Sequence, residues 1–201
     1  LLLDEHATNR TINEALDKIA SQCRPQDRFI FYFAGHGYSS LMKNEYYLLG
    51  HDASETTIEN KGFPISELQR KLQQIHCAKK AVVIDACYSG ATTTLSLEHY
   101  SSSEMRLTSI AKNAGVYVLA SSLSDKKSHE SKTLNHGLFT YALIEGFKGK
   151  AEMNGKVSMY SLFAYLQQEM PKLSYSILKK RQDPIFRSFD QGEPFYFEEQ
   201  H

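Results

Sequence analysis

The run Ala81-Val82-Val83-Ile84-Asp85-Ala86-Cys87-Tyr88-Ser89-Gly90 limits what this chain can fold into more than any other stretch. Four apolar residues, three of them β-branched, lead into an acid, a thiol and a Ser-Gly turn. A short, wholly apolar run closed by turn residues predicts a buried strand of a parallel sheet. In open α/β sheets the chemistry collects just beyond the carboxyl ends of the strands. Cys87 is therefore expected on the loop that leaves the sheet. Phe29-Ile30-Phe31-Tyr32-Phe33-Ala34 predicts a second buried strand, and it ends in Gly35-His36-Gly37. If the two strands are neighbours, they deliver an imidazole and a thiol to one edge. Nucleophilic cysteine catalysis needs that pair, because the thiolate is the reactive species and a nearby imidazole lowers the thiol pKa and handles the leaving-group proton.

A chain of 201 residues has the volume for one domain with a real core. Its 23 basic and 23 acidic residues balance, so nothing in the charge argues for nucleic acid or an anionic membrane as partner. No apolar run approaches the ~20 residues of a membrane helix. Cys23, Cys77 and Cys87 are odd in number and widely spaced, which favours a reducing, cytoplasmic setting over a disulfide framework.

Taken in order, Leu1-Leu2-Leu3 reads as the tail of a strand. Thr8 or Asn9 caps a helix carrying Ile12, Ala15, Leu16 and Ile19 at helical spacing. Glu45–Gly50 predicts a short strand. Ile65, Leu68, Leu72 and Ile75 mark an amphipathic helix over 64–76. The Thr/Ser-rich stretch 91–103 reads as a flexible surface loop, followed by a short helix over 105–114. Val116–Ala120 predicts the third buried strand, ending in Ser121-Ser122. Helices are expected over 138–147, ended by Gly149, and over 158–170, capped by Ser158. Gly192–Phe197 predicts a closing strand, at an edge because of Pro194. Strands alternating with helices give an α/β sandwich around a largely parallel sheet.

The motifs then converge on a family. Phe31-Tyr32-Phe33-Ala34-Gly35-His36-Gly37, Tyr47-Leu48-Leu49, Asp85-Ala86-Cys87-Tyr88-Ser89-Gly90 and Gly137-Leu138-Phe139-Thr140-Tyr141-Ala142-Leu143 resemble the caspase-like cysteine peptidases. Within that group the chain resembles metacaspases, paracaspases and bacterial caspase-like proteins. The spacing agrees, since caspase-type enzymes carry their His about 50 residues before the Cys. The resemblance covers nearly the whole chain, to a closing Gln182-Asp183-Pro184-Ile185-Phe186, and implies one peptidase domain over residues 1–201. It implies a three-layer caspase-like sandwich with a mostly parallel sheet between helices. It also implies Cys87 as nucleophile, His36 as acid/base, and the backbone N–H groups of Gly37 and Cys87 as the oxyanion hole.

The same resemblance implies that Ala120-Ser121-Ser122 pairs with an extended substrate as an added strand. Animal caspases carry Gln at position 85 and bind an acidic P1 residue. The acid Asp85 resembles the relatives that cut after Arg or Lys, and a carboxylate at the bottom of a pocket is costly unless a cation meets it. Asp125 and Glu130 lie where relatives place a further acid, with Ser128-x-Glu130 the better match in spacing. The family begins with a strand and a helix that precede the equivalent of Leu1-Leu2-Leu3. The expectation is that this first strand is absent from this chain and comes from a companion chain or fragment. Departures are Ala34, where relatives carry Ser, and Lys126, where Gln is common.

Other chemistries fail on the residues. A cysteine phosphatase needs Arg at position 93, which is Thr; a thioredoxin-like site needs a second Cys three residues away. Zinc would need more clustered Cys and His. The expected function is a cysteine endopeptidase cutting after Arg or Lys through a thioester, latent until processed near Arg106 or Lys112 or bound by a partner. No cofactor is expected, and calcium activation, known in some metacaspases, has no carboxylate cluster demanding it. The rival is a catalytically idle caspase-like module that works by binding.

Overall fold

The structure is a computed structural model that describes residues 1–40, 42–54, 56–89, 96–121, 137–189 and 192–197, with the side chains of all but 87–89 and 96–103. A short 3₁₀ turn, Asp4–His6, precedes α1 (Asn9–Gln22), β1 (Arg28–Ser40) and β2 (Glu45–Leu49). Then come α2 (Ile58–Lys61), β3 (Phe63–Pro64), α3 (Ile65–Gln74) and β4 (Lys79–Ser89). The chain continues through α4 (Ser96–Ala114), β5 (Tyr117–Ala120), α5 (Leu138–Glu145), α6 (Met159–Leu178) and β6 (Ile185–Arg187). The six strands form one sheet in the order β3-β2-β1-β4-β5-β6. β1, β4 and β5 run parallel, whereas β2, β3 and β6 each pair antiparallel with their neighbours. The sheet is mixed, with the parallel pairs at its centre.

Side chains alternate across β4, and each set meets its own helical layer. Val82, Ile84 and Ala86 face α1, α3 and α4, burying Leu16, Leu68, Leu72 and Ile110. Ala81 and Val83 face α5 and α6, burying Phe139, Leu162 and Leu166. A strand covered on both faces must be apolar at every position, which is why the β4 run reads as continuous rather than alternating. Thr8 caps α1 reciprocally with Thr11, accepting from the Thr11 N–H at 3.3 Å and donating its own N–H to the Thr11 hydroxyl at 3.0 Å. Ser158 and Ser161 do the same for α6.

Several expectations are corrected. Position 36 and position 87 lie inside strands, not on loops, because the β1–β2 hairpin continues the ladder past Ala34: His36 pairs with Leu49 and Ser40 with Glu45. Leu1–Leu3 form no strand, and the chain turns at Asp4–His6 instead. The Thr/Ser-rich stretch is helical from Ser96 onward, with residues 91–95 outside the described set. α6 runs through Pro171 to Leu178, held on its inner face by buried Met170 and Ser174. Residues 192–197 form no named strand and meet the fold in the isolated bridge Ser158↔Tyr196, while the sheet edge beside β5 is closed by β6.

Gly37 explains how a strand passes through a Gly-His-Gly segment. A Cβ there would lie 1.5 Å from the Tyr46 hydroxyl, so the ring of β2 crosses directly over the glycine. Replacing Gly37 with Ala is expected to lower stability by about 1–3 kcal/mol through overpacking, read from a urea or guanidinium unfolding curve. An unchanged midpoint would mean that the hairpin has slack at this point.

Candidate active site

The site starts from the register between β1 and β4. The two strands pair from Arg28↔Lys79 to Tyr38↔Ser89, and within that ladder His36 pairs with Cys87 and Ala34 with Asp85. Paired positions on neighbouring strands belong to the same face of the sheet, with backbones roughly 4.8 Å apart. Positions two residues apart on one strand also share a face. His36, Ala34, Cys87 and Asp85 therefore occupy one patch of the sheet, on the side covered lower down by α5 and α6. His36 is exposed at the end of this patch. The Cys87 side chain is outside the described set. Gly37 is buried, registered with Leu48 on one side and Tyr88 on the other.

Asp85 is half-buried and its carboxylate is held on named donors. Oδ2 accepts from the Thr140 backbone N–H at 3.1 Å and from the Thr140 hydroxyl at 2.5 Å. Thr140 is the third residue of α5, whose N-cap, Gly137, has no side chain to offer. Asp85 thus caps α5 from outside the helix, satisfying an orphan N–H and placing an anion at the positive end of the dipole. Gly137 must be small for this, since a Cβ there would lie 2.8 Å from Oδ2. Burial pushes the Asp85 carboxyl above the ordinary carboxylate range, against the lowering by hydrogen bonds from Thr140 and Ser121.

The other expected substrate contacts divide. Ser121 is buried next to Asp85, with its hydroxyl 3.4 Å from the Ala86 carbonyl and its N–H donating to the Ile84 carbonyl at 2.9 Å. Ala120 already has β4 on one side and β6 on the other, paired with Ile84 and Ile185. A substrate strand along this segment has room only beyond that point. Ser122, Asp125 and Glu130 lie outside the described residues. Thr140, Gly137 and Tyr32 had no assigned role from sequence. The signal was present in the Gly-Leu-Phe-Thr run, but only the fold shows that it meets the acid before the cysteine.

Cys77 differs from what a nucleophile requires. Cys77 follows α3, and burial, together with its neighbour Cys23, pushes its pKa up to about 12. It stays a thiol at neutral pH. Arg106, near the expected processing region, sits within α4 and binds Glu45 at 3.4 Å and the Asn44 side-chain oxygen at 2.6 Å. A cut there requires the helix to open. Among the described residues no three His, Cys, Asp or Glu side chains cluster to hold a metal ion, and no helix is long and apolar enough to cross a membrane.

The raised Asp85 pKa has a sign that can be tested. A carboxyl whose folded pKa exceeds its unfolded value contributes most below the unfolded value, about 3.9, and loses that contribution as pH rises through the folded pKa. Ionised Asp85 therefore weighs against folding at neutral pH. Asp85→Asn keeps an acceptor for Thr140 and removes the charge. It is expected to match or exceed the parent in stability at pH 7, with the advantage fading toward pH 3, as read from unfolding curves at both values. A variant less stable than the parent at pH 7 and equal to it at pH 3 would reverse the sign.

Comparison with known proteins shows the family. A sequence model of the caspase domain matches residues 2–196. A protein named as a probable protease, from a Desulfuromonadales bacterium, is 24% identical over 196 residues, covering 90% of this chain. The chain spans about a quarter of that relative's length, 24%. With a caspase-domain match from near one end to the other and His36 registered on Cys87, the chain belongs to the caspase domain family of peptidases.

Proposed function

We propose that this chain is the catalytic domain of a cysteine endopeptidase that cleaves after Arg or Lys. The observation carrying this is the pairing of His36 with Cys87 in the β1–β4 ladder. In the proposed cycle the Cys87 thiol gives its proton to His36 and the thiolate attacks the scissile carbonyl. The backbone N–H groups of Gly37 and Cys87 stabilise the oxyanion, each such donor being worth typically ~2.7–4 kcal/mol. His36 returns the proton to the departing amine, leaving a thioester on Cys87. Water, deprotonated by the same imidazole, hydrolyses the thioester and restores the thiol.

Asp85 supports the basic P1 preference. It is the half-buried acid two residues before the nucleophile, on the same face, and an arriving guanidinium or ammonium would neutralise a charge that burial disfavours. Ser121 flanks it, and Asp125 and Glu130 are proposed as further acids of the same subsite. The setting proposed is cytoplasmic, with the enzyme latent until processed or bound.

A companion segment, from this polypeptide or another, is proposed to add a strand to β1. β2 covers β1 only from His36 to Ser40, and β4 occupies the other edge. Among the described residues no strand pairs with the remaining edge over 29–35. Ile30 and Tyr32 are 45% and 47% exposed there and line a cavity of about 380 Å³ with Val83, Leu143 and Ile144. A bare edge with exposed apolar residues is an invitation to pair.

Cys87→Ala and His36→Ala are each expected to abolish cleavage of Arg-P1 and Lys-P1 reporter peptides, with an Asp-P1 peptide uncut by the parent. Activity surviving in Cys87→Ala would refute the nucleophile. Preferential cleavage of the Asp-P1 peptide would refute the basic subsite.

A further inference from the structure

Asp85 does not stand alone on its face of the sheet. Its Oδ2 takes both donors of Thr140, and the Thr140 hydroxyl is in turn 2.7 Å from the Tyr32 hydroxyl. Proton direction follows from the donor inventory. An ionised carboxylate only accepts, so the single Thr140 hydroxyl proton points at Asp85. The Thr140 oxygen is then left as acceptor, and Tyr32 must donate to it. The Tyr32 phenol is pushed up by burial, opposed by the Thr140 hydrogen bond and reinforced by the Asp85 charge, so it keeps its proton at neutral pH. A directed chain thus runs from Tyr32 on β1 through Thr140 on α5 to Asp85 on β4, tying three elements to one carboxylate oxygen.

The geometry points to Thr140 as a positioning residue for specificity. Its hydroxyl, oriented by Tyr32, fixes the Asp85 carboxylate so that the other oxygen faces a basic P1 side chain. This rests on the basic-P1 function proposed above and adds a residue to it. Three structural features argue that the arrangement is built. Gly137 removes the Cβ that would collide with Oδ2. Ala34, registered directly opposite Asp85, leaves the carboxylate uncrowded from β1. Thr140 offers backbone and side chain to the same oxygen, which pins one orientation where a single donor would allow a swing. A carboxylate free to swing would bind a cation in several poses and hold the scissile bond less well over Cys87.

Thr140→Val tests this, because it keeps the shape and the backbone N–H and removes only the hydroxyl. It is expected to raise KM for an Arg-P1 peptide about tenfold, with a much smaller change in kcat, since a charge-assisted bond is lost from substrate binding. Thr140→Ser should restore the parent KM, and Tyr32→Phe should move KM in the same direction by less. The activity-independent readout is the carbon-detected NMR titration of the Asp85 carboxyl. It should move upward in Thr140→Val and return in Thr140→Ser. An Asp85 titration unmoved by Thr140→Val overturns the positioning role, whether or not any peptide is cut. A titration that moves while KM for basic P1 does not overturns the specificity role. Equal loss of kcat and KM for every substrate, together with a lower melting temperature, would reduce Thr140 to a helix-capping residue and also overturns the proposal. If the parent cuts no basic-P1 peptide, or Asp85→Asn keeps the parent selectivity, the basic-P1 function fails instead, and the titration still decides whether Thr140 positions the carboxylate.

Discussion

The pairing register of β1 against β4 is the constraint on which the site depends. It places position 36 opposite position 87 and position 34 opposite position 85. A slip of one residue would send the imidazole and the thiol to opposite faces, because side chains alternate with a period of two. Three features oppose such a slip. The β4 residues facing each helical layer are apolar and buried, so a slip would drive each set into the layer packed for the other. The β1–β2 hairpin locks the upper half of β1 through Tyr46, which lies across Gly37. β5 then fixes β4 from the other side, with Ile84 paired to Ala120. The placement of position 36 against position 87 is thus set by packing far below them.

Asp85 shows what the same fold gives up. A half-buried carboxylate is disfavoured as the anion, and its donors offset only part of that. The anion is held by the first turn of α5, a helix whose own N-cap is a glycine. The helix lacks a side-chain cap of its own, and the acid has no partner of opposite charge among its named contacts. A cation arriving from a substrate would complete the arrangement, so a group that weighs against folding can favour binding.

Much of this was legible in the chain itself. The three central strands announced themselves as short apolar runs, and the caps at Thr8 and Ser158 as hydroxyl residues before apolar periodicity. The motif pair around His36 and Cys87 marked two positions that the β1–β4 ladder pairs. What stayed hidden depends on tertiary contact. Glycines at 35 and 37 read as a strand end because β2, which continues the ladder, pairs through residues further on. Pro171 reads as a stop, yet α6 passes it because its inner face is buried on the sheet. Serines at 101–103 suppress the helical period of α4, whose later half carries the buried Leu107 and Ile110. Cys23 and Cys77 are distant in sequence and neighbours in space. Thr140 is an ordinary helix residue until the fold lays it on Asp85.

The proposed mechanism needs the His36 imidazole to reach the Cys87 thiol from paired positions of β1 and β4. The most direct measurement is the rate of Cys87 alkylation against pH, followed by mass spectrometry in the parent and in His36→Ala, with the half-buried Cys77 as the internal control. Cys87 in the parent is expected to react at pH values well below the ordinary thiol pKa of about 8.5. This low-pH reactivity is expected to disappear in His36→Ala, while Cys77 stays slow in both. A Cys87 profile that follows an ordinary thiol and does not change when His36 is removed would rule out the pairing of imidazole and thiol.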